Sequence, residues 1–412
     1  MVTSLLAILA LVSLLLTVWR WTVAAAFPLH QRGPVPRGPL PGFTILKPLK
    51  GCNAETRRCL QSWLAQQYPG PMQILFGVAD PTDPVCAIVR ELLAEFRGVD
   101  ARLIHCRQNL GANGKVSTLR QLEPHILHPL VLVSDADVEV PAGFVADLAP
   151  LVAAPDAGLV NCFYRLANPA TIAMRWEALA INADFWSQVL QARSLATVDF
   201  ALGAVMALPM SRLRQIGGFA HLADYLADDY ELGRSVVQAG GRIDFSNIVV
   251  DCREAPAGWG DVRTHQLRWA RTIRVCRPVS YFFSVLANPS LWPLLWLAAA
   301  RTPGAAIFCA MALLFRVGSA AWLQRRLTQE NDHLLLAWLA PVKDLLEAVV
   351  WAAAFSGDTV EWRGEPYKVL TGGKLVRAQG SALAGLEILG REIEALKDPA
   401  EEMDAHTRLD QQ

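Results

Sequence analysis

Residues 1–19 are predominantly apolar, with no charged side chain before Arg20. Wound as a helix, such a run spans the roughly 30 Å hydrocarbon core of a bilayer. Arg20, His30, Arg32 and Arg37 follow the run instead of preceding it, the reverse of the order in a cleaved secretory leader. The pattern predicts a membrane anchor over residues 1–22, and the cations after it place the next domain on the cytoplasmic side.

From residue 43 the period changes. Short apolar runs at 43–47, 72–78, 101–106 and 130–134 alternate with stretches of helical spacing at 53–66, 84–96 and 115–126. Strands alternating with helices predict an α/β domain built on a parallel sheet, and such sheets bind ligands at the carboxyl ends of their strands. A Gly217-Gly218 turn, a helical stretch at 229–238 and a strand at 242–250 complete this domain over residues 40–278.

The chain then becomes apolar again. Residues 279–288 are aromatic and interfacial in character, 291–323 are apolar save Arg301 and Arg316, and 334–355 are apolar save Lys343, Asp344 and Glu347. Residues 279–356 are therefore expected to hold interfacial helices and two further spans, with Lys343 and Glu347 paired at i, i+4 to lower the cost of burial. Amphipathic helices lying in the interface are the alternative. Residues 357–412 are expected to be a soluble tail, charged and helix-forming over 381–412.

Charge and composition narrow the function class. Lys and Arg total 38 against 38 Asp and Glu, and no segment combines basic and aromatic density, which excludes a nucleic-acid partner. The eight cysteines show no C-x-x-C and no zinc spacing, so they read as reduced, mostly buried small hydrophobes. Abundant Arg, Ala and Leu point to a GC-rich bacterial genome, which by itself does not fix the compartment; a bacterial inner membrane is the expected location. Lys50-Gly51-Cys52-Asn53-Ala54-Glu55 after the first strand is not the G-x-G-x-x-G turn of a dinucleotide enzyme.

The chemistry sits where the strands end. Ser134-Asp135-Ala136-Asp137 follows an apolar run directly, and two carboxylates spaced by one residue aim together at a hard divalent cation that bridges the phosphates of a nucleotide sugar. Asp80, at an earlier strand end, faces either a nucleotide or the turn Asp80-Pro81-Thr82-Asp83-Pro84 that it caps. Asp228-Asp229 opens a helix: one of the two is read as an N-cap and the other as a base for a hydroxyl nucleophile. In His265-Gln266-Leu267-Arg268-Trp269, Arg268 suits a diphosphate and Trp269 a sugar or acceptor. The alternative is a basic, aromatic membrane belt continued by Arg271, Arg274 and Arg277. Lys115, after a Gly-rich turn, is either a phosphate ligand or a solvated helix-start lysine.

In the order Asp, Asp-x-Asp, Asp, x-x-x-Arg-Trp, these sites resemble those of glycosyltransferases with the GT-A (Rossmann-like) fold. The nearest likeness is to the ceramide glucosyltransferase family and its hopanoid-associated bacterial relatives. The matching words are Leu46-Lys47-Pro48-Leu49-Lys50-Gly51, Gly77-Val78-Ala79-Asp80-Pro81-Thr82-Asp83-Pro84, Asn109-Leu110-Gly111-Ala112-Asn113-Gly114-Lys115-Val116-Ser117, Gly217-Gly218-Phe219, Ala227-Asp228-Asp229-Tyr230 and Leu267-Arg268-Trp269. Trp362-Arg363-Gly364 and Tyr367 also look familiar. The resemblance implies a UDP-sugar donor, Mg or Mn at Asp135 and Asp137, Asp80 on the nucleotide, and Asp229 as general base in an inverting displacement. Two departures stand out. The family usually has Gln or Arg where this chain has His265, which implies an altered donor contact there, and Asp184 is the candidate stand-in for a His found in animal members. An apolar segment so soon after the last motif fits a lipid acceptor at the bilayer surface. Transfer of glucose to a hydroxyl such as ceramide's is the first reading. Transfer of N-acetylglucosamine to a hopanoid and a catalytically inactive membrane scaffold are the alternatives.

Overall fold

The computed structural model describes residues 1–32, 40–331, 334–362, 365–370 and 372–377. Arg37, Arg363, Gly364 and the stretch 381–412 lie outside the described residues. α1 (Val2–Ala26) leads into β1 (Phe43–Leu49), α2 (Thr56–Leu64), β2 (Met72–Val78), α3 (Val85–Glu95), β3 (Asp100–His105), α4 (Gly114–Leu122) and β4 (Leu130–Ser134). Next come β5 (Val138–Glu139), α5 (Phe144–Val152), β6 (Ala157–Leu166), α6 (Ile172–Leu179), α7 (Trp186–Leu195), β7 (Val205–Pro209), α8 (Met210–Gln215), α9 (Asp228–Gln238) and β8 (Arg242–Cys252). α10 (Trp259–Cys276), α11 (Pro278–Ser284), α12 (Leu291–Ala300), α13 (Pro303–Thr328) and α14 (Ala340–Ala353) precede the short strands β9 (Thr359–Trp362), β10 (Glu365–Val369) and β11 (Leu375–Arg377).

The main sheet has eight strands in the order β3-β2-β1-β4-β7-β6-β8-β5. β3, β2, β1 and β4 are parallel, as the alternation predicts. The sheet is nonetheless mixed, because β7 opposes β4 and β6, and β5 opposes β8. A parallel return needs a crossover of about a dozen residues or more. Only residues 135–137 separate β4 from β5, so the chain turns sharply at the Asp-x-Asp and pairs with β8 instead.

Alternation along each strand feeds two cores. Phe43, Ile45, Ile74, Phe76, Leu130 and Leu132 face one, while Leu46, Leu75, Val131 and Val133 face the other. The second core also contains Ala24 of α1 and Ala320, Leu323 and Leu327 of α13. The apolar helices therefore continue the core of the sheet domain.

α1 shows inverted polarity. Ala10, Ser13, Thr17, Arg20 and Ala24 form its buried stripe, while Leu5, Ile8, Leu11 and Leu15 are exposed. Small and polar residues inside with leucines outside is the arrangement of a helix bathed in lipid. Val2–Ala26 and Pro303–Thr328 are long and apolar enough to cross a membrane, and Pro278–Ala287 with Leu291–Ala300, bent by 54°, forms a third candidate.

Three expectations are corrected. The stretch 291–323 is not one helix: it breaks at Arg301, in the left-handed region at φ 51°, and restarts at Pro303, with Thr302 capping the new helix by accepting from Ala305 N at 3.3 Å. The stretch 334–355 holds a 14-residue α14 flanked by the 3-10 segments Leu334–Leu339 and Ala354–Ser356, and α14 is too short to span. Arg20 is no interfacial cation: it is 4% exposed, and its Nη2 lies 3.4 Å from Asp184.

That last contact belongs to a buried ionic cluster. Arg316 of α13 donates to both oxygens of Asp184, at 3.0 and 2.7 Å, and also pairs with Asp344 at 2.7 Å. Lys343 bonds Asp184 and Glu347, the latter at 2.7 Å. Three cations thus face three carboxylates and join α1, α13 and α14 to the π-helical turn Ala180–Phe185. Asp184→Asn should leave the three buried cations undercompensated and cost about 3–5 kcal/mol. A large fall in the melting temperature of the detergent-solubilised chain, against little change for Glu347→Gln, checks this.

Candidate active site

β4 delivers Asp135 and Asp137 to the sheet edge, and two buried lysines meet them there. Lys47 on β1 is fully buried, 4.8 Å above the ring of Trp63. It donates to Ser134 Oγ at 3.2 Å and to the Asp135 carbonyl. Burial pulls its ammonium down to about 8, against the opposing pull of the Asp137 and Asp135 carboxylates. Lys115, in the first turn of α4, places Nζ 2.8 Å from Asp135 Oδ1 and 3.1 Å from Asp228 Oδ2. Burial alone would lower its pKa, but the carboxylates of Asp135 and Asp228 outweigh burial and raise it. Lys115 is therefore not a solvated helix-start lysine.

Asp137 is crowded by charge of its own sign. Burial, then the neighbouring Asp135 carboxylate, pushes it up to about 6. Two carboxylates one residue apart, with oxygen donors only, are a set that a hard divalent cation satisfies. The other acidic group, Asp184, Asp344 and Glu347, brings carboxylate oxygens within 4.8 Å of one another, but Arg316 and Lys343 already neutralise it.

The second acidic pair opens α9. The cap position is Ala227 with no side-chain cap, so neither Asp228 nor Asp229 is the expected N-cap; both lie in the first turn, where the helix dipole favours anions. Asp229 is pushed up to about 6 by burial and then by Asp228. Its carboxylate and that of Asp135 converge beside Gly203. A Cβ on that glycine would lie 3.0 Å from Asp229 Oδ2 and 3.6 Å from Asp135 Oδ2. The loop before α9 is held from two sides. Asn113 caps α4, accepting from Lys115 N and Val116 N, and its amide donates to the Tyr225 carbonyl at 2.8 Å. The β9–β11 sheet bonds the same loop, with Leu226 N to Gly373 O at 3.0 Å and Leu375 N to Asp224 O at 2.7 Å. The described residues between 359 and 377 thus pack on the domain, where a soluble tail was expected.

α10 carries the last motif. His265 Nδ1 bonds Glu177 Oε1 at 2.7 Å, and the His265 ring meets Trp269 edge-on at 4.5 Å. Trp269 in turn lies 6.1 Å from Phe185. Glu254 is raised by burial, eased by His265 and Arg268 and reinforced by Glu177 and Asp137, which places this motif in the same electrostatic neighbourhood as the Asp-x-Asp. Arg271, Arg274 and Arg277 do not form a lipid-facing belt. They bond Thr359 O, Asp358 and Asp199 respectively.

Asp80 accepts from Thr82 N at 2.8 Å and Thr82 Oγ1 at 2.7 Å. These bonds lower its pKa, and the carboxylate stands in solvent as the cap of its turn. Asp184 is corrected as a catalytic candidate, because its oxygens are committed to Arg316 and Lys343. Residues not singled out from sequence also line the site: Lys47, Gly203, Glu177, Glu254 and Tyr164. Burial raises the phenol of Tyr164, with Asp229, Asp135 and Asp137 adding to the rise. A lysine inside the apolar run 43–47 was the one legible signal among them. All eight cysteines are free.

The chain is similar to known proteins. Ceramide glucosyltransferase 3 from Caenorhabditis elegans is 25% identical over 204 residues, covering 49% of this chain and 44% of that one. Ceramide glucosyltransferase from Candida albicans is 34% identical over 108 residues, covering 24% of this chain and 20% of that one. The chain therefore spans less than half the length of these curated relatives. A solved structure, the mannosyltransferase PcManGT from Pyrobaculum calidifontis in complex with GDP-Man and Mn2+, matches with a TM-score of 0.52 over 84% of this chain and 98% of that one. At 20% identity that likeness carries the fold alone, the GT-A architecture. The family description matching residues 2–375 covers sheet, site and apolar helices together, and the chain belongs to glycosyl transferase family 21.

Proposed function

We propose that this chain transfers a hexose, glucose from UDP-glucose in the first instance, to the hydroxyl of a membrane lipid such as ceramide, with inversion at the anomeric carbon. The observation that carries the reading is the convergence of Asp135 and Asp229 on the space beside Gly203, in a domain whose core runs on into membrane-length helices. Asp135 and Asp137 are the residues that would hold Mg or Mn. When bound, the cation supplies positive charge to the departing diphosphate. Lys115 and Arg268 add fixed cationic charge on the donor side, and Asp80 is assigned to the nucleotide. Asp229, its carboxylate kept basic by burial and by Asp228, accepts the proton of the attacking hydroxyl. Trp269 and Phe185 form an aromatic wall for sugar or acceptor.

The catalytic domain is assigned to the cytoplasmic face of a bacterial inner membrane. With Arg20 buried and His30 held below its usual pKa by burial, this orientation rests on Arg32 and Arg37 after α1.

Membranes carrying the wild type or Asp135→Ala, supplied with UDP-glucose or UDP-N-acetylglucosamine, Mn or Mg, and ceramide or hopanoid acceptors, test the reading by mass spectrometry of the lipids. A metal-dependent glycolipid made only by the wild type is expected. Folded, inserted protein that yields no product from any pair would instead favour an inactive scaffold.

The raised pKa of Asp229 gives the sign of the pH dependence. Below about 6 the carboxylate is protonated and idle, so kcat/KM should fall about tenfold per pH unit there and level off above it. Asp229→Asn should remove turnover while leaving the fold intact, as read by melting temperature.

Gly203→Ala would push a methyl group between the two carboxylates. Loss of about 10- to 100-fold in kcat with little change in stability is expected, measured by steady-state kinetics beside a thermal melt.

A further inference from the structure

α9 begins after Ala227 with no side-chain cap, so the helix that carries Asp228 and Asp229 does not fix its own start. The four residues upstream fix it, because their main chain is bound alternately on two sides. The carbonyls of Ala223 and Tyr225 both accept from Asn113, the first from its backbone N–H at 2.7 Å and the second from its Nδ2 at 2.8 Å. On the other side, the Asp224 carbonyl accepts from Leu375 N at 2.7 Å, and Leu226 N donates to Gly373 O at 3.0 Å. A period of two is that of an extended strand. Here the strand lies between the Gly-rich turn before α4 and the β9–β11 sheet.

Asp224 joins the two neighbours. Its main chain bonds the sheet, and its Oδ1 accepts from Ala112 N of the turn at 3.0 Å. Turn and strand are in close contact: a Cβ on Gly111 would lie 2.6 Å from the Ala223 carbonyl oxygen. The sheet is anchored in its turn by α10. Arg274 donates to the Gly357 carbonyl at 3.1 Å and to Asp358, and Arg271 donates to Thr359 O. Three short strands need an apolar partner to fold against. Leu226 of the upstream strand supplies it by sharing a core with Val360, Val369 and Leu375, with Ala112 and Val275 packed against that core.

We propose that Asp224 is a positioning residue of the transfer reaction: by joining the Gly-rich turn to the C-terminal sheet it sets the start of α9, and with it the place of the Asp229 carboxylate beside Gly203. Asp224 acts through Asp229, so the assignment rests on the reading of Asp229 as proton acceptor in transfer to a lipid. The sheet that Asp224 engages follows the last apolar helix, α14. The site is therefore complete only once the chain beyond α14 has folded back onto the domain.

The test uses the full chain in detergent–lipid micelles with UDP-glucose and ceramide, and compares Asp224→Ala, Asp224→Asn and Leu375→Pro. Asparagine keeps an oxygen for Ala112 N and alanine does not, while proline removes the N–H that the Asp224 carbonyl accepts. In Asp224→Ala and Leu375→Pro, kcat should fall about 10-fold or more. The donor KM should stay within about twofold, and Asp224→Asn should recover kcat to within about threefold of the wild type. Amide hydrogen exchange over residues 222–229, read by mass spectrometry, should quicken about 10-fold in the same two variants. Asp224 is exposed, so Asp224→Ala should barely move the melting temperature, which separates positioning from loss of structure. If the melt shows that Leu375→Pro fails to fold, the two Asp224 variants decide. Unchanged exchange in Asp224→Ala, faster exchange with unchanged kcat, or equal losses in Asp224→Ala and Asp224→Asn would overturn the assignment. A wild type that makes no glycolipid sinks the lipid-transfer reading and the positioning role with it. Product that depends on Asp135 and Asp229 but is indifferent to Asp224 sinks the positioning role alone.

Discussion

The arrangement depends on the compensation of carboxylates that the fold withdraws from water. Asp135, Asp137, Asp228 and Asp229 come together at the ends of β4 and α9, where burial and mutual repulsion raise Asp137 and Asp229 alike. Such a group holds together only if cations are built into it. Lys115 meets Asp135 and Asp228 at once, and Lys47 reaches Ser134 and the loop backbone from behind. Neither lysine bonds Asp137 or Asp229 directly, so negative charge is left over at those two carboxylates, where the proposed function puts a metal and a proton acceptor. The site is stabilised enough to form and left unsatisfied enough to bind.

The same balance recurs where the helices meet the sheet domain, with the opposite result. Around Asp184 each carboxylate has a cation against it. The π-helical turn Ala180–Phe185 lies between the two regions. Asn182 pins it to the end of β6 by bonding both N and O of Leu166, at 2.9 and 3.1 Å. Asp184 then enters the ionic cluster, while the next residue, Phe185, meets Tyr164 and Trp269. A turn of five-residue hydrogen bonding is costly in an ordinary helix and recurs at functional sites. Here it sends adjacent side chains to opposite tasks.

What could be read from the sequence follows from range. The parallel half of the sheet, the Asp-x-Asp at a strand end and the first anchor are local patterns of period and punctuation, visible within a few residues. The antiparallel β7, the convergence at Gly203 and the Glu177–His265 bond join segments far apart in the chain, and no local spacing announces them. Arg20 reads as interfacial from its place after an apolar run, and Asp184 as catalytic from a family resemblance; neither position reveals the ionic partners that commit it to the buried cluster. Arg20 meets Asp184, and Asp184 meets Arg316 and Lys343, each more than a hundred residues away in the chain.

The continuity between the sheet core and the apolar helices bears on the acceptor. Ala24 of α1 and Ala320, Leu323 and Leu327 of α13 pack in the same core as Val131 and Val133 of β4, the strand that delivers Asp135. A soluble acceptor would gain nothing from tying the catalytic strand to lipid-facing helices. For a lipid acceptor the tie sets the height of the carboxylates above the bilayer, because the helices fix their own depth by the length of their apolar spans. The buried charges around Asp184 then act as a register mark. They cannot slide along the helices without separating ions in a medium of low dielectric. The depth of α13, the π-helical turn and the aromatic wall at Trp269 are therefore set together.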